Sequence, residues 1–106
     1  MPKYLFEISY TLEGSKGLLK DGGSKRLAAG KAAIESLGGK VEAFYFAFGK
    51  NDVITIVDMP DNASAASASI ALSASGGVTG RTTVLLTPEE IDAAVKKTPT
   101  YTPPGR

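Results

Sequence analysis

The sequence predicts a single α+β domain in which helices cover one face of an antiparallel β-sheet. Three observations support this prediction. Residues 3–11 alternate apolar and polar side chains with the period of a strand, residues 41–59 have the pattern of two strands joined by a tight turn, and residues 24–37 carry apolar side chains at helical spacing. A chain of 106 residues, of which 42% are hydrophobic, has the size and composition of one globular domain.

The first strand and the first helix follow from local signals. In Lys3 to Thr11, large apolar side chains at even positions alternate with a partly polar set. Residues 12–23 contain four glycines, so we expect only a short helical turn there. Ser24 is then the predicted N-cap of a helix that ends at the Gly38-Gly39 step.

The hairpin between Val41 and Met59 is unusual because neither side of its first strand is polar. Three phenylalanines alternate there with four other residues that are mostly apolar: Phe44, Phe46 and Phe48 against Val41, Ala43, Tyr45 and Ala47. A sheet with helices on one side and water on the other normally has one polar face. We therefore predict that a second subunit or a ligand cavity covers the other side of the hairpin.

The segment after the hairpin is rich in alanine and serine. Asp61 or Asn62 can cap a helix there, and this helix would carry mostly small apolar side chains. A flexible linker is the competing interpretation, because the same composition is found in linkers. The strand pattern that follows favours the helix.

The last part of the chain predicts a strand, a helix and a tail. Val78 to Leu86 is rich in β-branched residues, and Gly80 inside it is a candidate bulge position. Thr87 is followed by proline and two glutamates, which is typical of a helix start, and this helix is expected to run to about Lys97. Residues 98–106 are too rich in proline for regular structure.

The predicted order is therefore βαββαβ with an extra C-terminal helix, which is the ferredoxin-like order with helices on one face of the sheet. We expect residues 1–97 to form the domain and residues 98–106 to form a tail. This tail either frays or lies over a neighbouring molecule.

Charge and residue usage exclude several function classes. Twelve Lys and Arg residues against eleven Asp and Glu give a net charge of +1 without long runs of one sign, so neither a nucleic acid nor a membrane partner is expected. The chain has no cysteine and no histidine, which removes thiol chemistry, a Ser-His-Asp triad and the commonest metal ligands. We expect no metal and no cofactor. The chain begins without a signal-peptide pattern, which predicts a cytoplasmic location.

Three segments resemble the GYD domain family: AFYFAFGKNDVITIVDMPDN, YTLEGSKGLLKDGGSKR and TTVLLTPEEIDAAVKK. Gly49 and Asp52 match the family's Gly-X-Tyr-Asp turn, whereas Asn51 stands in the tyrosine position. The resemblance implies a small bacterial protein with a ferredoxin-like fold, similar to the dimeric α+β barrels in which two sheets pack face to face. Relatives by fold include stress-responsive dimers, isomerases and monooxygenases that use no cofactor, so the fold alone does not give the function.

Seven residues are candidates for a ligand site. They are Glu7, Ser9, Tyr45, Asp52, Thr55, Arg81 and Thr83. The turn residue Asp52 either shapes the turn or acts as a base or polar ligand-binding group. Glu7 and Arg81 lie on strands that are neighbours in the predicted order, so they could pair across the sheet. Together with the tyrosine and threonines they would form a polar patch in an apolar chamber.

These observations lead to one main expectation for function and two alternatives. We expect a homo-oligomer that binds a small hydrophobic or aromatic molecule in a chamber on the sheet face. The first alternative is a cofactor-free isomerase or monooxygenase in which Tyr45 or Glu7 moves protons. The second is a structural assembly protein whose tail around Tyr101 clasps a neighbour, helped by an exposed edge strand.

Overall fold

The computed structural model describes all 106 residues and confirms the predicted α+β class. The elements are β1 (Lys3–Tyr10), α1 (Leu12–Asp21), α2 (Gly23–Ser36), β2 (Lys40–Phe46), β3 (Val53–Asp58), α3 (Asn62–Ala74), β4 (Val78–Leu85) and α4 (Pro88–Val95). The strands form one antiparallel sheet in the order β2-β3-β1-β4. None of the four helices combines the length and the apolar character that a membrane span requires.

Two interleaved βαβ units build the sheet. Strand β1 pairs antiparallel with β3 on one side and with β4 on the other, and β2 pairs antiparallel with β3. As a result β1 and β2 run parallel with β3 between them, while β3 and β4 run parallel with β1 between them. Strand β1 is therefore central, and Lys3 marks one end of the sheet while Tyr10 marks the other.

The hydrophobic core lies between the sheet and the helices α2 and α3. Six strand residues that share one face are buried there: Tyr4, Phe6 and Ile8 of β1 with Val53, Thr55 and Val57 of β3. The helices contribute Ile34 from α2 and the small side chains of Ala65 and Ala68 from α3. The alanine-rich segment is thus a packed helix, capped by the Asp61 side chain, and the linker interpretation is wrong.

A β-bulge in β2 changes which side chains face the core. The register between β2 and β3 shifts between Val41 and Ala43, which leaves Glu42 as the extra residue. Val41 consequently lies on the helix-covered face together with Phe44, although strict alternation placed them on opposite faces. The predicted bulge position was wrong, because Gly80 pairs with β1 in unbroken register.

The first helical segment is longer than its glycines suggested. Helix α1 has ten residues, and the Thr11 side chain caps it by accepting a hydrogen bond from the Gly14 backbone N–H at 3.2 Å. Gly22 has a φ of 79°, a left-handed value that lets the chain turn directly from α1 into α2. Helix α2 therefore begins at Gly23, and the predicted N-cap role of Ser24 is wrong.

Helix α4 projects from the rest of the domain. It begins with a full capping box, in which Thr87 and Glu90 each accept a hydrogen bond from the other residue's backbone N–H. It ends at Val95, and every residue of the helix is exposed. The radius of gyration is 16.9 Å, well above the roughly 13 Å expected for a compact domain of this length. Nearly every residue from 86 to 106 is exposed, as expected for a segment that extends away from the core.

Two glycines one turn apart in α1 provide a matched test of the packing. A Cβ atom at Gly14 would overlap the Gly77 carbonyl oxygen, whereas a Cβ atom at Gly17 would meet nothing within 4 Å. We expect Gly14→Ala to lower the free energy of unfolding by about 1–3 kcal/mol through overpacking. Gly17→Ala should raise it by about 0.5–1 kcal/mol, because alanine favours the helix. Urea denaturation measures both changes, and equal effects would contradict this packing of α1.

Candidate functional site

The sheet has one face that no helix covers, and we call it the open face. Its centre is apolar and is formed by Leu5, Ile54, Ile56, Leu85, Ala43 and Tyr45. The side chains of Leu5, Ile54 and Ile56 are only half-buried, in contrast to the fully packed residues on the opposite face. Tyr45, at the β2 edge, is 71% exposed. An apolar sheet face of this kind is a candidate contact surface.

Five of the seven predicted site residues lie on this open face. They are Glu7, Ser9, Tyr45, Arg81 and Thr83. The predicted pairing of strands is confirmed, because Glu7 stands directly opposite Arg81 in the β1–β4 register. The two side chains do not form an ion pair in the single chain, since the salt bridges all involve Lys3 or Lys25. Both charges are thus available to other groups.

Thr55 does not belong to the open face, and its predicted place beside Tyr45 is wrong. Its side chain is buried on the helix-covered face, where the hydroxyl donates a hydrogen bond to the Ala43 carbonyl oxygen at 2.7 Å. Register explains the difference, since Tyr45 stands opposite Ile54 and side chains alternate along a strand. The threonine therefore satisfies its own polar group within the core.

Asp52 organises the end of the hairpin. Its Oδ2 atom accepts a hydrogen bond from the Tyr10 backbone N–H at 2.7 Å, and its own N–H donates to the Ile8 carbonyl oxygen at 2.8 Å. These bonds extend the β1–β3 pairing by one residue before Val53, the first residue of β3. The carboxylate accepts the bond that a carbonyl oxygen of a paired strand would accept, which supports the interpretation that Asp52 shapes the turn.

The hairpin turn also contacts the polar end of the open face. Asn51 donates a side-chain hydrogen bond from Nδ2 to the Glu7 Oε2 atom at 3.2 Å. Ser9 Oγ lies 3.4 Å from the Lys50 carbonyl oxygen and 3.5 Å from Asn51 Oδ1. The four residues form a cluster that we call the turn cluster: Glu7, Ser9, Lys50 and Asn51. The apolar centre of the open face thus ends in a polar group of side chains.

The opposite end of the open face is closed by charge pairs. Lys3 Nζ lies 2.8 Å from Asp58 Oδ1 and 2.7 Å from Glu42 Oε1. The hydrogen bonds to Asp58 and then to Glu42 raise the pKa of Lys3 above its ordinary value of 10.5. A raised lysine pKa means that this stabilisation is complete below about pH 10.5 and is lost as the pH rises through the folded-state value. The pairs are therefore intact at neutral pH.

Concave features lie on the helix side of the sheet. An apolar cavity of 70 Å³ beneath α2 and α3 is smaller than the roughly 150 Å³ known to admit benzene. A wider pocket of 500 Å³ lies beside the hairpin, with Leu18, Phe46 and Phe48 among its walls. Of the seven predicted site residues, only Asp52 lines this pocket. No group of three acidic side chains is placed to hold a metal ion.

Comparison with known families decides the family of this chain. A family model described as the GYD domain matches residues 4–95, which is most of the 106-residue sequence. The chain belongs to the GYD domain family. No curated protein and no solved structure matches it.

Membership in the GYD domain family gives the turn cluster a particular interest. The turn of this GYD domain carries Asn51 in the position of the tyrosine for which the family is named. The structure places that position against Glu7, so this turn residue directly contacts the open face. Asn51 was missed as a candidate site residue, although its departure from the family pattern was visible in the sequence. The position of the turn relative to β1 was not visible in the sequence.

The structural role of Asp52 can be tested by paired substitutions. We expect Asp52→Ala to lower the free energy of unfolding by about 1–3 kcal/mol, because the Tyr10 N–H loses its charged partner. Asp52→Asn should cost less, since the amide oxygen still accepts a hydrogen bond. Lys50→Ala, a neighbouring exposed substitution, should change stability by less than about 0.5 kcal/mol. Urea denaturation reports all three, and an unchanged Asp52→Ala variant would contradict the structural role.

Proposed function

We propose that this GYD domain is a homo-oligomeric binding protein, in which open faces of two copies pack together and enclose a chamber for a small hydrophobic or aromatic molecule. The observation that carries the proposal is the uncovered apolar centre of the sheet around Leu5, Ile54 and Ile56. Helices of the same chain cover only the opposite face. Burying this second face would contribute about 25 cal/mol for each Å² of apolar surface removed from water.

The strand order supports a fold assignment that goes with this assembly. Taken from the other edge, the order is β4-β1-β3-β2, with α2 and α3 as the two crossover helices. We assign this arrangement to the ferredoxin-like fold and, with the second copy, to the dimeric α+β barrel type. Helix α1 is an additional element within the first crossover.

A second copy suits the open face because its charges are complementary under a two-fold axis. Such an axis brings the same surface of both copies together, so that residue i of one copy contacts residue j of the other and the reverse. Glu7 and Arg81 carry opposite charges on this one face and are unpaired with each other in the single chain. A two-fold contact can pair the glutamate of each copy with the arginine of the other.

The composition of the open face indicates the class of ligand. Its walls would be aliphatic and aromatic, while the turn cluster and the Tyr45 hydroxyl would supply a few hydrogen-bonding groups at the rim. Binding sites for small molecules commonly combine a mostly apolar lining with few polar groups that fix orientation. A neutral aromatic or lipophilic molecule with one hydrogen-bond donor fits this pattern, because Glu7 is an acceptor when ionised.

A cofactor-free isomerase or monooxygenase is the second candidate. The observation that favours it is the position of the Glu7 carboxylate at the edge of the apolar centre, where enclosure by a second copy would remove water. The hydrogen bond from Asn51 would then hold the carboxylate in place as a proton acceptor. Conversion of a bound molecule, lost in Glu7→Gln, separates this candidate from simple binding.

The assembly is tested by a charge placed in the apolar centre. We expect Ile56→Lys to raise the dissociation constant at least about 100-fold, because burial of an unpaired ammonium costs several kcal/mol and each 1.4 kcal/mol is about a factor of ten. Sedimentation velocity at micromolar concentration measures the change. Ile70→Lys, on the 67% exposed isoleucine of α3, is the matched control and should leave the oligomer intact. A monomeric parent protein, or an unaffected Ile56→Lys variant, would contradict the proposed interface.

Ligand binding is tested with the neutral fluorescent probe N-phenyl-1-naphthylamine. We expect saturable binding, and a Glu7→Gln/Arg81→Gln double variant should bind at least about tenfold more weakly, since a hydrogen bond to a charged group contributes roughly 1.5–3 kcal/mol. A Glu13→Gln/Arg106→Gln variant removes the same charges from exposed positions and should bind like the parent. Equal affinity in all three proteins would place the probe elsewhere, for example beside the hairpin, and would rule out the open face.

A further inference from the structure

Helix α4 presents an apolar stripe that nothing in its own chain covers. Ile91, Ala94 and Val95 share one side of the helix by their spacing, and the first and last are 45% and 72% exposed. Isolated helices shorter than about 12–15 residues are marginal in water, and α4 has only eight residues. Its capping box defines its start, but its stability requires a packing partner.

A second uncovered feature lies between α2 and α3 on the helix side of the sheet. These two helices make few contacts with each other, and the gap between them is the helix groove. Its open part has Tyr10 of β1 at the base, Arg26 and Ala33 of α2 on one side, and Ala71 and Leu72 of α3 on the other. This open part has a volume of 410 Å³, whereas the two cavities of 70 and 60 Å³ that Leu72 also lines border the buried core residue Ile8.

The groove and helix α4 carry opposite charges. Arg26 lines the widest part together with Tyr10, and it forms no ion pair with any residue of its own chain. Helix α2 as a whole carries three cationic residues against one acidic residue. Helix α4 carries three acidic residues and no cation between Pro88 and Val95. Asp92 lies beside the apolar stripe, one residue after Ile91.

We propose that α4 of one copy docks into the helix groove of a second copy. The apolar stripe would lie between Ala33 and Leu72 in the open part of the groove, and Asp92 would pair with Arg26 of the other molecule. The lengths agree: an eight-residue helix is about 12 Å long, and the α2 wall from Arg26 to Ala33 spans about 10 Å. This contact uses the covered side of the sheet, so it is independent of the open-face interface.

Geometry favours a second copy over the same chain. Strand β4 ends at Leu85, opposite Lys3, whereas Arg26 lies near Tyr10 at the other end of β1. Those ends are about 24 Å apart, at roughly 3.4 Å per strand residue. Asp92 follows Leu85 by two connecting and five helical residues, a reach of about 14 Å. The Asp92 backbone therefore stops about 10 Å short of that end of β1, and a contact within one chain would need α4 folded straight back with both side chains fully extended.

Engineered cysteines test the contact directly, because the chain has no cysteine of its own. An ¹⁵N-labelled Ala94→Cys protein is mixed with unlabelled Ala33→Cys protein under mild oxidation, and the mixed disulfide is quantified by mass spectrometry. Ala28→Cys, on the exposed side of the same helix, is the matched control for Ala33→Cys. Docking should make the Ala33→Cys reaction about 1,000-fold faster, since it raises the effective concentration from micromolar to about millimolar.

Each outcome of the mixing experiment decides the proposal. Fast coupling to Ala33→Cys and slow coupling to Ala28→Cys supports docking between copies, and Arg26→Glu should then slow the fast reaction. Similar rates for both partners would overturn the proposal. A slow mixed reaction, together with rapid internal closure of an Ala94→Cys/Ala33→Cys double variant, would place α4 on its own chain and would also overturn it. Repeating the reaction with Ile56→Lys proteins separates this contact from the open-face interface.

Discussion

A four-stranded sheet has two faces, and this chain supplies packed helices for only one of them. The central strand β1 places Tyr4, Phe6 and Ile8 under α2 and α3, so the alternation of the pleat necessarily puts Leu5 and Glu7 on the other side. The residues opposite them on β3 and β4 follow the same rule. The proposed chamber depends on this asymmetry, because the open face combines an apolar centre with charged groups and has no cover within the chain.

The turn cluster links the fold to the proposed chamber. The Asp52 carboxylate accepts the hydrogen bond of the Tyr10 N–H, which a backbone carbonyl of a paired strand would otherwise accept. This bond holds the end of the hairpin against β1 and fixes the position of the turn. Asn51 is thereby held against Glu7 at the edge of the apolar centre. The turn of this chain thus combines an anchor with a contact: Asp52 shapes the backbone, and Asn51 reaches the polar end of the open face.

Local pattern was sufficient to predict most of the fold, and its failures have identifiable physical causes. Alternation located β1, the hairpin pattern located β2 and β3, and the capping signals at Asp61 and Thr87 located the starts of α3 and α4. The glycines of α1 obscured a helix that is anchored by its N-cap and by the α3–β4 connection. The bulge beside Val41 reversed the face of that residue, and the facing of Thr55 became evident only from strand register. Five of the seven candidate residues were correctly expected to share one face of the sheet, because alternation and strand order could be read from the sequence. The contact between Asn51 and Glu7 was missed, because it depends on how the hairpin turn pairs with a distant strand.

Native mass spectrometry of the gently purified protein, compared with its denatured mass, tests the central claim that a second copy covers the open face. The account predicts an assembly containing an even number of 11.0 kDa chains at micromolar concentration, because face-to-face pairing joins chains two at a time. Extra mass present only in the native spectrum would identify a molecule held in the chamber. A monomer at the same concentration would contradict the claim, since the apolar centre would then remain in water.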